Sequence, residues 1–132
     1  MKRLLIAAFA LLAAVGFSSC ENDDDRLYDT LAGRVWAGDL GFYQDGRYPL
    51  DSYVYFGADG FGTDKLHFAD TGQYLDTLNI QWDAYGDDTI YIGYGRADYP
   101  RELRRVHIRR GELRAELYID GEYYGRITLY MQ

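Results

Sequence analysis

From Glu112 onward the chain alternates: Leu113, Ala115, Leu117 and Ile119 share one side, and Glu112, Arg114, Glu116 and Tyr118 share the other. A period of two is the mark of a strand with one face in a core. The same alternation sets Val106 and Ile108 against Arg105, His107 and Arg109, and Leu78, Ile80 and Trp82 against Asn79, Gln81 and Asp83. It returns in Ile127, Leu129 and Met131 against Arg126, Thr128 and Tyr130. Between these stretches stand Asp45-Gly46, Asp59-Gly60, Asp70-Thr71-Gly72, Gly86-Asp87-Asp88, Arg110-Gly111 and Asp120-Gly121, with Tyr99-Pro100 as a further break. Asp-Gly pairs suit the tight turns whose twist matches that of paired strands. These breaks predict eight strands, near 34–43, 50–58, 61–69, 73–85, 89–95, 102–109, 112–119 and 123–131. Leu27, Leu31 and the stop at Gly33 predict one or two helical turns ahead of them. Short, evenly spaced connections favour pairing between sequence neighbours. The expected fold is therefore all-β, an eight-stranded antiparallel up-and-down barrel with a short N-terminal helix. A two-sheet sandwich is the alternative.

Upstream of Leu27 the pattern changes. Met1-Lys2-Arg3 is a basic start, and Leu4 to Val15 is an uncharged apolar run, too short to span a bilayer but the length of a signal-peptide core. Gly16-Phe17-Ser18-Ser19-Cys20 follows, with small residues before the chain's one cysteine. This resembles the lipobox of bacterial lipoproteins, in which the thiol is acylated and the chain is cut just before it. The resemblance implies that Cys20 carries the membrane anchor. It also implies a core stabilised without disulfides. The expected organisation is a signal peptide over 1–19, a lipidated cysteine and acidic tether over 20–26, and a barrel over 27–132. The tether contains Asp23, Asp24 and Asp25. A like-charge run beside an anchor stays extended and hydrated. It also resembles the export signal behind the lipidated cysteine in surface lipoproteins of Bacteroidota, which places the protein at the outer membrane, on the cell surface or on its periplasmic face.

Charge narrows the partners. The net charge of −7 becomes −9 once Lys2 and Arg3 leave with the leader. Such a balance argues against nucleic acid and against electrostatic docking on anionic lipid, and leaves the N-terminal lipid as the route to the membrane.

Leu31-Ala32-Gly33-Arg34-Val35-Trp36-Ala37-Gly38-Asp39-Leu40-Gly41 is similar to the first strand of calycin barrels, the lipocalins and avidins, in which a glycine closely precedes a tryptophan. Two residues, Arg34 and Val35, separate them here, where lipocalins keep one. In size and anchoring the chain resembles small lipocalin-like lipoproteins of Bacteroidota. The resemblance implies that Trp36 seals the closed end and that Arg126, near the last strand, packs over its ring.

Candidate chemistry is sparse. His67 and His107 sit on polar strand faces beside basic residues, without the further ligands a zinc site needs. Asp59 to Asp64 reads as a hairpin turn, lacking the ligand order of a calcium loop. Ser52 is the one serine outside the leader, and no nucleophile elbow surrounds it. No enzyme, cofactor or metal site is expected. Arg101, Arg104, Arg105, Arg109, Arg110 and Arg114 crowd one hairpin. They read either as a solvated face paired with Glu102, Glu112 and Glu116 or as a receiver for an acidic ligand or anionic sugars. The chain carries 14 tyrosines, which line the interior or form an outer aromatic belt. The first functional expectation is non-covalent binding of a small, partly apolar ligand in an open mouth, by Tyr48, Phe61, Tyr85 and Tyr99 with Trp82 deeper. The second is a solid-core interaction module that binds a protein or glycan through its outer surface, as an inhibitor or accessory subunit.

Overall fold

The structure, a computed structural model, describes residues 26–132. The leader, Cys20 and Asp23 to Asp25 lie outside the described residues. Eight strands follow in chain order: β1 (Arg34–Gln44), β2 (Tyr48–Phe56), β3 (Phe61–Phe68), β4 (Tyr74–Tyr85), β5 (Thr89–Gly93), β6 (Arg101–Arg109), β7 (Glu112–Ile119) and β8 (Glu122–Met131). A short helix, α1 (26–31), precedes them. Each strand pairs antiparallel with its sequence neighbours, and β8 returns to β1 through Trp36↔Met131, Ala37↔Tyr130 and Gly38↔Leu129. That pairing closes the barrel and excludes the sandwich.

The turns have the backbone their residues favour. Arg110-Gly111 and Asp120-Gly121 both hold positive φ at their two positions, the primed turn that matches strand twist. Closure also needs close strand contact at Gly38, where any Cβ would collide with the Thr128 carbonyl oxygen. Register shifts interrupt β1 between Gly38 and Phe42 and β6 between Arg104 and His107.

The inward side chains form one contiguous core. Trp36, Leu40, Val54, Phe56, Ile90, Ile92, Leu103, Leu113, Leu117 and Leu129 are fully buried. An eight-stranded barrel is just wide enough for side chains to fill it, and here apolar residues occupy it along its length. Helix α1 lies across one end. Leu27 and Leu31 are buried there, Tyr28 stacks on Trp82 with ring centroids 4.2 Å apart, and the Tyr28 hydroxyl donates to the Ala58 carbonyl. Trp82 Nε1 donates to the Gly57 carbonyl at 2.8 Å.

Candidate functional site

The end of the barrel opposite α1 carries the turns after β1, β3, β5 and β7, and it is plugged by Arg101. This side chain is 2% exposed. Its Nε donates to the Leu40 carbonyl at 2.9 Å, Nη1 to Asp98 Oδ1 at 2.9 Å and to the Tyr99 carbonyl at 2.8 Å, and Nη2 to the Gly41 carbonyl at 3.2 Å. The bulge in β1 turns the Leu40 and Gly41 carbonyls toward it. Its guanidinium lies 3.9 Å from the Phe42 ring centroid, a cation–π contact made out of water. Arg101 is thus not part of the solvated arginine face that the sequence suggests.

The arginine expected over Trp36 is not there. Arg126 lies on the outer face of β8, exposed and opposite Glu116, because Ile127 and Leu129 take the inward positions of that strand. Trp36 is buried at the helix end, and its Nε1 has no hydrogen-bond partner in the protein.

The five aromatic residues expected at one mouth are split between the two ends. Tyr48 and Tyr99 stand exposed at the Arg101 end. Phe61 and Tyr85 are exposed at the helix end, and Trp82 is core there, held by Tyr28 and Phe56. They form no common pocket. The reason is alternation: in an up-and-down barrel successive turns fall at opposite ends.

A polar cluster crosses the core below Arg101. Tyr94 is buried and donates its hydroxyl to Asp64 Oδ2 at 2.7 Å, while its ring packs edge-on against Phe42. Burial pushes the Asp64 carboxyl up to about 6, against the opposing pull of the Tyr94 hydroxyl, the Ser52 hydroxyl and the Arg101 charge. Burial and the Asp64 charge raise the Tyr94 hydroxyl well above its ordinary range. Ser52 is fully buried two pairs along the β2–β3 ladder, and neither its Oγ nor Asp64 Oδ1 makes a well-formed hydrogen bond to protein.

Tyrosine belongs to the outside. Tyr43, Tyr48, Tyr55, Tyr74, Tyr85, Tyr91, Tyr99, Tyr123, Tyr124 and Tyr130 are exposed, and Tyr94 is the one in the buried core. On the β1–β3 side, Tyr124 donates to Asp39 Oδ2 at 3.3 Å and meets the Tyr43 hydroxyl at 3.4 Å. The contact with Tyr43, then burial and the Asp39 charge, raise the Tyr124 hydroxyl. Asp51 is raised by partial burial and by Asp39, with His67 opposing. His67 sits half-buried between the edges of Tyr53 and Tyr74, whereas His107 is exposed. Among the described residues no group of His, Cys, Asp and Glu is placed to hold a metal ion.

Surface concavities flank α1 and cross the β6–β8 face. Beside the helix, one of about 450 Å³ includes Thr30, Arg34, Trp36 and Met131, and another of about 240 Å³ includes Leu27, Asp87 and Val106. The third, about 470 Å³, is lined by Arg105, His107, Arg114, Glu116, Arg126 and Thr128, with Ala115 and Ile127 behind them. Neighbouring arginines are paired as the sequence suggests: Arg104 with Glu102 at 2.6 Å and Arg114 with Glu112 at 3.2 Å. Sequence reading missed Asp64, Tyr94 and the part played by Arg101, although each falls in phase with buried aliphatics of its strand or its immediate continuation. No protein-family model matches this chain, and neither a curated protein nor a solved structure matches it.

Proposed function

We propose that this chain is a lipid-anchored envelope protein whose solid barrel binds a partner through its outer surface, without catalysing a reaction. The observation that carries this reading is the filled interior. Apolar side chains occupy the barrel, α1 covers one end, and Arg101 with Phe42 and Tyr94 occupies the other. A ligand-holding barrel keeps a cavity of some hundreds of cubic ångströms lined by apolar and aromatic groups. Here the aromatic groups with hydroxyl tips face outward, where rings of this kind favour recognition of other molecules. The lipobox-like run ending at Cys20 supports anchoring, and the resemblance of Asp23 to Asp25 to an export signal supports display on the cell surface.

Native mass spectrometry of the full lipoprotein, released from its own membranes in mild detergent, tests the reading. The expected spectrum is the chain with its N-terminal lipid and no retained apolar small molecule. A stoichiometric apolar ligand that protects Trp82 or Tyr94 from solvent probes overturns the solid-core reading and restores the mouth.

A further inference from the structure

The groove on β6, β7 and β8 owes its shape to an unusual backbone. Arg105 holds a φ of 56° at the β6 bulge, the left-handed region that favours glycine. The bulge turns two consecutive side chains, Arg104 and Arg105, outward between the inward Leu103 and Val106. Arg104 is engaged, bonded to Glu102 and stacked 3.8 Å from the Tyr118 ring centroid. Arg105 makes a longer ion pair, its Nε 3.7 Å from Glu116 Oε1 and beyond hydrogen-bond reach. Arg114 is paired with Glu112 at 3.2 Å, and Arg126 makes no ion pair among the described residues. A strongly acidic protein thus keeps a concave, under-neutralised cationic face.

We propose that this groove binds an acidic glycan, a sugar chain bearing carboxylate or sulfate groups. Charge complementarity gives the sign, and the guanidinium fork gives the fit to a planar carboxylate or to two sulfate oxygens. Placement gives the rest. His107 and Arg114 are direct cross-strand partners, whereas Arg114 and Arg126 lie diagonally across β7 and β8. Direct partners stand about 5 Å apart and diagonal ones roughly 7–8 Å. The two arginines, offset in this way, present their charges at separate points along the face. They meet charges spaced along an extended polymer. Glu116 and Thr128 lie among them, an acceptor for sugar hydroxyls and a hydroxyl that can donate or accept. Glu116 opposes the close-set charges of an acidic polypeptide, but tolerates a sugar chain whose anions are separated by hydroxyl-bearing rings. Tyr130 continues the same outer face with an exposed ring on which a sugar face can stack.

This inference rests on the outer-surface reading and names its ligand class. Calorimetric titration of the full lipoprotein in detergent, at low salt and with added sodium chloride, tests it. The probes are oligogalacturonate, dextran sulfate, neutral dextran and poly-glutamate. Oligogalacturonate or dextran sulfate should bind in a salt-sensitive way, with neutral dextran silent and poly-glutamate at least about tenfold weaker. The double variant Arg114→Gln/Arg126→Gln should weaken glycan binding at least about tenfold, while Lys65→Gln on the β3 face should not. Arg105→Gly removes a cation and relieves the left-handed backbone, so it should bind more weakly yet unfold at a higher urea concentration. That combination separates loss of the site from loss of the fold. Acidic glycans that bind no better than neutral dextran, poly-glutamate that binds as well, or an unchanged double variant would each overturn the proposal. Failure here with a ligand-free interior removes the groove inference alone, whereas an apolar ligand inside the barrel removes the outer-surface reading beneath it.

Discussion

Asp64 contributes stability in the pH sense opposite to that of a salt-bridged carboxylate. Its carboxyl is buried, and its pKa rises from 3.8 to about 6 on folding, chiefly because burial penalises the charge. A pKa raised in the folded state means that the native protein holds its proton more tightly than the unfolded chain. The stability linked to that proton is fully present below pH 3.8 and is lost as pH rises through 6. Such a rise corresponds to about 3 kcal/mol in all. Roughly half of that separates pH 8 from pH 5, and the remainder lies below pH 5. Tyr94, Ser52 and Arg101 all oppose the rise, and about 6 is what remains after their pull.

The perturbation is Asp64→Asn. An amide is isosteric and uncharged, and it accepts from the Tyr94 hydroxyl with its oxygen while offering N–H to Ser52 Oγ. Urea unfolding of wild type and variant across pH 5–8 gives the difference directly, and the other carboxylates cancel in it. The variant should be the more stable at pH 8, and the difference should shrink by about 1 kcal/mol by pH 5. A difference independent of pH, or one that grows as pH falls, would refute an Asp64 that is ionised and strained near neutrality.

Three further expectations follow, the first from the structure and the other two from the sequence. Arg101→Met should cost at least about 2 kcal/mol in urea unfolding, since the Leu40, Gly41 and Tyr99 carbonyls lose their donors, and Arg101→Lys should recover little because an ammonium cannot reproduce the fork. Cys20→Ser should leave the protein in the soluble fraction of a membrane separation, because the proposed acylation at this thiol is what would attach it. Replacing Asp23-Asp24-Asp25 by a Ser/Gly run of equal length should keep the protein membrane-bound but protect it from protease added to intact cells. Wild type protected as fully as the variant would place it on the periplasmic face.

Most of the fold was legible because a meander barrel is written in alternation and turns. All eight strands lie within two residues of their expected bounds, and the outward set of β7 is the polar set. Phase also held information that residue chemistry obscured. Arg101 is in step with Leu103, Tyr94 with Ile90 and Ile92, and Asp64 with Leu66, so each was marked for the interior by position while its polarity argued for the surface. Polarity loses there because bulge carbonyls, a loop carboxylate and one another's hydroxyls partly replace water. Tyr53 and Tyr55 alternate with buried Val54 and Phe56, which sends them outward whatever their apolar area.

The aromatic mouth fails for a different reason, one of connectivity. Tyr48 and Tyr99 follow or belong to turns at one end, Phe61 and Tyr85 border turns at the other, and strict up-and-down order forbids them to meet. The β6–β8 groove lies beyond any such rule. A break of phase between Leu103 and Val106 announces a bulge, but not that it would fall opposite Glu116 and beside Arg126. Its cations come from three strands and meet only through register. Register is fixed by how the barrel closes, so a site made by lateral neighbours becomes visible only when the sheet is whole.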